Sequence, residues 1–242
     1  MFTAYPTAYF DHFVYHDIFP DSITAAFSLK NIFENPAEVD PVVHRRKLIE
    51  RISGDSHTMV GSKQVHGAAI LETDKEGFQD GFDAFITMQP RLYLTVAVAD
   101  CLPLFFADDA GQVVALVHAG WRGTEKSICK KVVTALHENF QVAPERLTVL
   151  MGPCISQSAY EVGPEVAEQF PSEAICKGKD DRWYLSLKKA NLSQLRAAGV
   201  RDDHVYYDDR CTFAHDNLFF SYRRDGSAAG RMIAAIGITN GK

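Results

Sequence analysis

The chain has 242 residues, of which 46% are hydrophobic and 23% charged, and its formal net charge is -6 at pH 7. This balance is typical of a soluble globular protein, and the net negative charge disfavours a nucleic-acid-binding surface. Residues 1–6 lack the basic start and long apolar run of a secretory signal, and no apolar stretch reaches membrane-spanning length. We therefore expect a cytoplasmic protein with no nucleic-acid or membrane partner.

The early part of the chain is predicted to contain helical segments followed by short strands. An Asn-Pro step favours a helix beginning near residues 35–38, and Val42–Ile52 is the stronger helical stretch. Leu92–Ala99 is largely apolar and rich in β-formers, which predicts a central strand buried on both faces. Three shorter strands are predicted before it, over Thr58–Gly61, Ala68–Glu72 and Asp83–Thr87.

The middle and end of the chain alternate between strands and helices. The turn sequence over residues 108–111 predicts a β-hairpin, with Val113–Val117 delivering His118 at its end. Apolar residues spaced by four predict a helix over Thr124–Phe140. The other predicted elements are strands at Leu147–Met151 and Arg231–Ile238, and helices at Val162–Phe170 and Ser186–Ala198, the second ending at Gly199.

This mixture, with one hairpin and no linker rich in proline, glycine or serine, favours one domain over residues 1–242. The fold class is α/β (α+β), with a mixed β core in a layered sandwich covered by helices. The five cysteines are an odd number, widely spaced and without a CxxC pair. They are therefore predicted to be reduced thiols.

Three residues in the first half of the chain are candidate metal ligands: His66, Cys101 and His118. Two imidazoles and one thiolate suit zinc, and three protein ligands leave a fourth position open, as in catalytic zinc sites. Taken alone, Cys101 also fits a buried small apolar residue, and His66 fits a hydrogen-bonded loop histidine. The sequence spacing does not choose between these readings, because no short ligand motif such as HExxH is present.

The segment after His118, Ala119-Gly120-Trp121-Arg122-Gly123, is predicted to turn from a strand into a helix. A helix start offers free N–H groups, and Arg122 can add a bidentate grip on phosphate or carboxylate. A tight turn without any ligand is the alternative. Two further segments contain residue types that often line binding pockets: MGPCIS after residue 150 and FFSYRRDG after residue 218. The first equally fits a turn at the end of a strand, and the second equally fits the aromatic edge of the core.

Together, the motifs KQVHG, ADCLP, HAGWRG, GPCIS followed by Tyr160-Glu161-Val162-Gly163, and FFSYRRDG resemble one family, the YfiH-type laccase-domain family. The resemblance covers roughly residues 20–240. This family was formerly called multicopper polyphenol oxidase and is described as purine nucleoside phosphorylases with adenosine deaminase activity. A single-domain α/β sandwich is the fold it implies.

The resemblance implies that His66, Cys101 and His118 bind zinc and act in catalysis. The implied reactions are phosphorolysis of adenosine, inosine, guanosine and methylthioadenosine, and deamination of adenosine. Our candidate general acid is Asp100, because no glutamate occurs in the HAGWRG or ADCLP segments, and our candidate substrate contacts are Arg45, Lys63, Gln64 and Arg122. The family's usual Asn-Arg pair reads His44-Arg45 here, which changes the residue beside one of these contacts.

Other classes of function remain open from the sequence. A Cys/His hydrolase or amidase would use Cys101 as nucleophile with His118 or His66 as base, acting for example on a nucleotide-linked cell-wall precursor. A binding module for such a precursor would bind without turnover. A copper phenol oxidase is disfavoured, since one His₂Cys set cannot supply both a blue-copper site and a copper cluster, although Cu²⁺ can occupy such ligands in vitro.

Overall fold

The structure is a computed structural model that describes residues 2–32, 40–54 and 58–239. Within those ranges it has seventeen strands and six α-helices. The strands are β1 (Phe2–Thr3), β2 (Thr7–Ala8), β3 (His12–Val14), β4 (Ile23–Ser28), β5 (Thr58–Gly61), β6 (Ile70–Glu72), β7 (Gly77–Phe78), β8 (Ala84–Thr87), β9 (Leu92–Val98), β10 (Leu102–Asp108), β11 (Val114–Ala119), β12 (Leu147–Met151), β13 (Glu161–Val162), β14 (Ile175–Lys177), β15 (Trp183–Leu185), β16 (Val205–Tyr207) and β17 (Met232–Ile238). The helices are α1 (Pro41–Ser53), α2 (Trp121–Glu125), α3 (Ile128–Phe140), α4 (Pro164–Ala167), α5 (Leu187–Ala197) and α6 (Tyr222–Asp225).

Two mixed seven-stranded sheets form the centre of the fold. The first sheet has the order β1-β16-β12-β10-β11-β8-β6, and the second has the order β2-β3-β4-β17-β9-β5-β7. A small third sheet, β13-β15-β14, is not hydrogen-bonded to either of them and contributes to the core of the first sheet. The chain passes from the second sheet to the first between β9 and β10.

The layers follow from the alternation of side chains along each strand. Phe105 and Leu116 of the first sheet share a core with Leu94 and Ala234 of the second, which places the two sheets face to face. On its other face the first sheet packs against helices α3 and α5, and the second sheet packs against α1. The result is a four-layer sandwich with helices outside two sheets, which confirms the predicted fold class.

Most predicted elements are present, with some boundaries changed. Helix α1 includes the predicted stretch and begins at Pro41, because Asp40 caps it by accepting a hydrogen bond from the backbone N–H of Val42 at 2.7 Å. Strand β9 is buried on both faces as expected, and the β10–β11 hairpin is antiparallel. The helix predicted near residues 35–38 lies outside the described residues.

Three predictions need correction. The helix predicted over residues 124–140 is two helices, α2 and α3, because Ser127 between them adopts a left-handed φ of 59°. The helix predicted over residues 162–170 is only α4, since Val162 belongs to β13 and Pro164 starts the helix. His118 lies within β11 rather than after it.

Four strands in the first 28 residues, and β13 to β16 later in the chain, are also absent from the prediction. The important one is β4, which lies between β3 and β17 in the second sheet. Its sequence ITAAFS contains two alanines, which are poor β-formers, so tertiary burial decides its structure rather than local propensity.

Candidate functional site

His66, Cys101 and His118 converge at one point of the structure. One ligand atom from each residue lies within 4.8 Å of the others, and these three form the one such cluster that could hold a metal among the described residues. The two imidazole rings meet edge to face, with centroids 4.8 Å apart. His118 is buried, Cys101 is half-buried and His66 is exposed, so the cluster has a closed side and an open side.

The hairpin register brings Cys101 and His118 together. Strands β10 and β11 pair with Leu102 opposite Ala119 and Pro103 opposite His118. Cys101, immediately before β10, therefore lies beside the end of β11. Asp100 has a left-handed φ of 85°, a conformation that aspartate tolerates better than most residues, and this turns the chain from the second sheet into the first.

His66 reaches the cluster from the loop after β5. The side-chain amide of Gln64 pins this loop to β9 by donating to the carbonyl of Ala97 at 2.9 Å and accepting from its N–H at 2.8 Å. His66 itself has a left-handed φ of 56°, an uncommon conformation outside glycine that marks a specifically held turn.

Asp83, which is fully buried, connects the two histidines. Its carboxylate accepts a hydrogen bond from Nδ1 of His118 at 2.8 Å. It also accepts from the backbone N–H groups of Val65, His66 and Gly67 at 3.2, 3.0 and 2.7 Å. One carboxylate thus orients the His118 ring, leaves Nε2 of that ring for a metal, and fixes the loop that carries His66.

Gly120 allows these parts to approach closely. A Cβ atom at this position would lie 3.0 Å from Sγ of Cys101 and 3.1 Å from Cδ2 of His66. Because both distances are shorter than ordinary van der Waals contact, a side chain here would displace two of the three candidate ligands. The glycine in HAGWRG is therefore explained by packing against the cluster.

The electrostatics of the cluster suit a cation. Burial alone would raise the pKa of the Cys101 thiol, but the neighbouring His118 and His66 lower it to about 6. Burial alone would lower the pKa of His118, but Cys101 and Asp83 raise it to about 9. Two imidazoles and a readily formed thiolate, with the outer nitrogen of one ring held by a carboxylate, fit the donor set that zinc prefers.

The cluster opens into a cleft of about 1170 Å³, which we call the metal-side cleft. All eight candidate site residues from the sequence line it: Arg45, Lys63, Gln64, His66, Asp100, Cys101, His118 and Arg122. Five arginine and lysine side chains face it, against the carboxylates of Asp80 and Asp100. A chain with a net charge of -6 therefore presents a basic cleft beside its candidate metal ligands.

The surroundings of the predicted substrate contacts differ. The guanidinium of Arg45 is buried, lies 5.1 Å from the centre of the Phe78 ring and donates to the carbonyl of Ser62 at 3.3 Å. Burial lowers its pKa to about 10. Lys63 and Arg122 are exposed, and the Arg122 guanidinium stacks 4.3 Å from the centre of the Trp121 ring. These two cations are therefore more accessible to a ligand than Arg45.

Asp100 has several partners in the structure. Its carboxylate accepts from the hydroxyl of Thr212 at 2.6 Å, the hydroxyl of Ser221 at 3.0 Å and the backbone N–H of Arg223 at 2.7 Å. These bonds fix the FFSYRRDG segment next to Cys101.

Three residues of the site were not assigned a role from the sequence. Asp83 gave no signal, because the first residue of a predicted strand reveals nothing about its partner in the neighbouring strand. Tyr160 and Arg223 line the metal-side cleft and lie in segments that were noted, but whose burial the sequence does not give. Only the folded chain brings these three residues to the ligands.

Comparison with known proteins gives consistent matches. A family model described as "Multi-copper polyphenol oxidoreductase laccase" matches residues 28–239. The purine nucleoside phosphorylase YlmD of Geobacillus stearothermophilus is 36% identical over 215 residues, 82% of this chain and 78% of that protein. A purine nucleoside phosphorylase of Deinococcus radiodurans is 34% identical, over 86% of this chain and 81% of that protein.

Solved structures match as well. The crystal structure of YlmD from Geobacillus stearothermophilus aligns with a TM-score of 0.89 and 29% identity, covering 98% of this chain and 100% of that chain. The crystal structure of the Bacillus licheniformis hypothetical protein YfiH aligns with a TM-score of 0.85 and 25% identity, covering 94% and 96%.

Proposed function

The chain belongs to the family described as multi-copper polyphenol oxidoreductase laccase, and from that premise we propose that it is a zinc-dependent purine nucleoside phosphorylase that also deaminates adenosine. The substrates would be adenosine, inosine, guanosine and methylthioadenosine, and residues 1–242 would act as one catalytic domain. Relatives named purine nucleoside phosphorylase, at 31 to 36% identity, support an enzyme of this kind. The observation that carries the proposal is the convergence of His66, Cys101 and His118 within 4.8 Å at a basic cleft.

Zinc held by these three side chains would supply a Lewis acid that lowers the pKa of water from about 15.7 towards about 7. The side chains around it bind and orient the reactants. Asp83 holds the His118 ring so that Nδ1 keeps its proton and Nε2 faces the cluster. Lys63 and Arg122 are positioned to attract phosphate, and Gln64 secures the His66 loop.

Phosphorolysis forms a bond from phosphate oxygen to the anomeric carbon of the sugar and breaks the bond to the purine nitrogen, which leaves with its electron pair. Deamination adds water at C6 of adenosine and releases ammonia. The second reaction needs a proton donor for the leaving nitrogen, and Asp100 beside Cys101 is our candidate from the sequence. In this role Asp100 must first take up a proton, in competition with the three hydrogen bonds that its carboxylate accepts. An Asp100→Asn variant that deaminates at the wild-type rate would exclude this role.

The first experiment separates the two reactions. Purified protein with bound zinc quantified is incubated with adenosine, with and without phosphate, and the products are resolved by chromatography. Adenine that forms only with phosphate indicates phosphorolysis, whereas inosine formed without phosphate indicates deamination. If neither product forms, the proposal is refuted. Tight nucleoside binding without turnover would then indicate a binding module.

A second candidate is a Cys/His hydrolase or amidase. It is favoured by one observation, the lowered pKa of Cys101 beside His118, which is also what a nucleophilic cysteine requires. The test is metal content, because stoichiometric zinc on Cys101 leaves no free thiolate. Rapid alkylation of Cys101 in protein as isolated, with no bound metal, would support the hydrolase instead.

A multicopper oxidase would need several metal clusters. In residues 2–32, 40–54 and 58–239 the His/Cys/Asp/Glu side chains form one cluster that fits a metal, and it has three ligands. Copper would bind such ligands more tightly than zinc when offered in vitro.

Among the described residues, no helix is both long and apolar enough to cross a bilayer. We expect the enzyme to act in the cytoplasm on small molecules, without nucleic-acid or membrane partners.

A further inference from the structure

The described arginines differ in whether they pair with a carboxylate. Seven of the described arginines form ion pairs with a carboxylate: Arg51, Arg146, Arg182, Arg196, Arg201, Arg210 and Arg224. Within the described ranges, Arg122, Arg223 and Arg231 have no carboxylate within 4.0 Å, and all three line the metal-side cleft. Arg46 and Arg91 also lack such a partner, but they lie outside this cleft. In an acidic protein, this concentration of arginines without acidic partners at one cleft indicates a site for an anion.

Two of these guanidinium groups are held by aromatic rings. Arg122 stacks 4.3 Å from the centre of the Trp121 ring, and Arg223 lies 5.1 Å from the centre of the Tyr160 ring. Arg223 also donates from Nη1 to the carbonyl of Glu161 at 2.9 Å. Stacking orients a guanidinium plane while its edge N–H groups remain able to bind the oxygens of a phosphate in bidentate fashion.

Tyr160 lines the same cleft as these two arginines and the candidate metal ligands. Burial raises its pKa well above the ordinary value, the charge of Cys101 adds to this rise, and Arg223 and Arg122 oppose it. Since Tyr160 lines the cleft, its phenol hydroxyl can donate a hydrogen bond to a ligand bound there.

We propose that Arg122, Arg223 and the hydroxyl of Tyr160 form the phosphate-binding subsite of this cleft, beside the candidate metal ligands. The inference rests on the proposed phosphorolysis and deepens it by naming the groups that hold the nucleophile. Arg45, a candidate substrate contact from the sequence, is not part of this subsite, because its guanidinium is buried against Phe78 and the carbonyl of Ser62. The ligand is a tetrahedral phosphate, either free orthophosphate or the phosphate ester of a nucleotide.

Binding of orthophosphate tests the subsite without any turnover. Zinc-loaded wild type, Arg122→Gln and Arg223→Gln are titrated with orthophosphate by calorimetry at one ionic strength. Each variant should bind about tenfold to a hundredfold more weakly, because each loses a charge-assisted hydrogen-bonding group. Arg46→Gln is the matched control, since Arg46 is exposed and lies outside the cleft but carries the same charge. Equal affinity in wild type, Arg122→Gln and Arg223→Gln would overturn the proposal.

Two gentler variants protect the test against misfolding. Arg223→Lys keeps the positive charge but loses the paired N–H groups of the guanidinium. It should therefore recover part of the orthophosphate affinity that Arg223→Gln loses. Tyr160→Phe removes only a hydroxyl, and should weaken orthophosphate binding by roughly threefold to tenfold. Wild-type affinity in Tyr160→Phe would remove that residue from the subsite.

The source of the phosphate is decided by comparing two probes, orthophosphate and adenosine 5′-monophosphate. Tighter binding of orthophosphate, with adenosine bound alongside it, identifies the free anion, whereas tighter binding of the nucleotide, weakened by the same variants, identifies a phosphate ester. With adenosine as substrate, Arg122→Gln and Arg223→Gln should raise the KM for phosphate and lower the ratio of adenine to inosine. If wild type yields neither product, the proposed function fails, yet the titrations still decide the subsite.

Discussion

Two clefts of nearly equal size differ in chemistry. The metal-side cleft has a volume of about 1170 Å³, and a second one, the N-terminal cleft, has about 1120 Å³ and is lined by residues that include Asp11, His12, His16 and Arg51. In the N-terminal cleft, Asp11 bonds both Nδ1 of His12 at 2.7 Å and Nε of Arg51 at 3.0 Å. Its carboxylate, imidazole and guanidinium therefore satisfy one another.

In the metal-side cleft, the equivalent groups do not neutralise one another. Three arginines lack carboxylate partners among the described residues, and the buried carboxylate of Asp83 orients a histidine instead of neutralising an arginine. Volume alone thus does not distinguish a site from a groove. A site is distinguished by polar groups that converge without neutralising one another. This difference between the two clefts can be tested by matched substitutions.

The largest effect is expected from His118→Ala. Loss of a direct ligand should reduce zinc affinity and nucleoside turnover by more than about a hundredfold, the upper end of what loss of an outer hydrogen-bonding partner costs. Zinc content is measured by metal analysis after dialysis, with circular dichroism to confirm folding. His16→Ala in the N-terminal cleft is the control and should retain both properties. Full activity in His118→Ala would disprove the ligand assignment.

The next largest effect is expected from Asp83→Asn. This variant keeps the shape but removes the charge that orients His118, so zinc affinity should fall about tenfold to a hundredfold. Competition with a chelator measures the affinity, and the visible spectrum of the cobalt-substituted protein reports the changed geometry. Asp11→Asn is matched, because it also removes a buried carboxylate bonded to a histidine. If both variants bind zinc like wild type, Asp83 has no positioning role.

A third test is a titration of the metal-free protein. Because the pKa of Cys101 is lowered from the ordinary thiol range to about 6, a thiolate should form as the pH rises through about 6. Thiolate absorbance at 240 nm, with Cys101→Ser as the blank, follows this change. Burial raises the pKa of Cys154 to about 12, so that thiol should stay silent over the same range. A Cys101 transition near pH 9 would contradict the coupling to His118.

The smallest effect is expected in the N-terminal cleft. The ion pair of Arg51 with Asp11 is half-exposed on the arginine side, where such pairs contribute about 0 to 1 kcal/mol. Arg51→Gln should therefore lower the free energy of unfolding by less than about 1 kcal/mol and leave zinc and phosphate binding unchanged. Urea denaturation measures the first quantity. A clear loss of phosphate binding would show that the N-terminal cleft is also functional.

Much of the fold could be predicted from local sequence patterns. The apolar run of β9, the turn between β10 and β11 and the apolar spacing in α3 each act within a few residues, so pattern predicts them. Strand β4 and the break at Ser127 were missed, because burial against β17 and a single left-handed residue override local preference. The helix predicted over residues 162–170 was wrong for a local reason. Val162 belongs to β13, and the helix that Pro164 begins ends at Ala167.

The sequence by itself identified the candidate ligands, which are two histidines and one cysteine, and candidate arginines near them, each in a distinctive motif. Tertiary structure alone decided that Asp83 joins His66 to His118, and that the guanidinium of Arg45 is buried in the wall of the cleft that Arg122 and Arg223 also line. The physical reason is that hydrogen bonds between sheet neighbours and burial depend on residues far apart in the chain, and no local pattern records those distances.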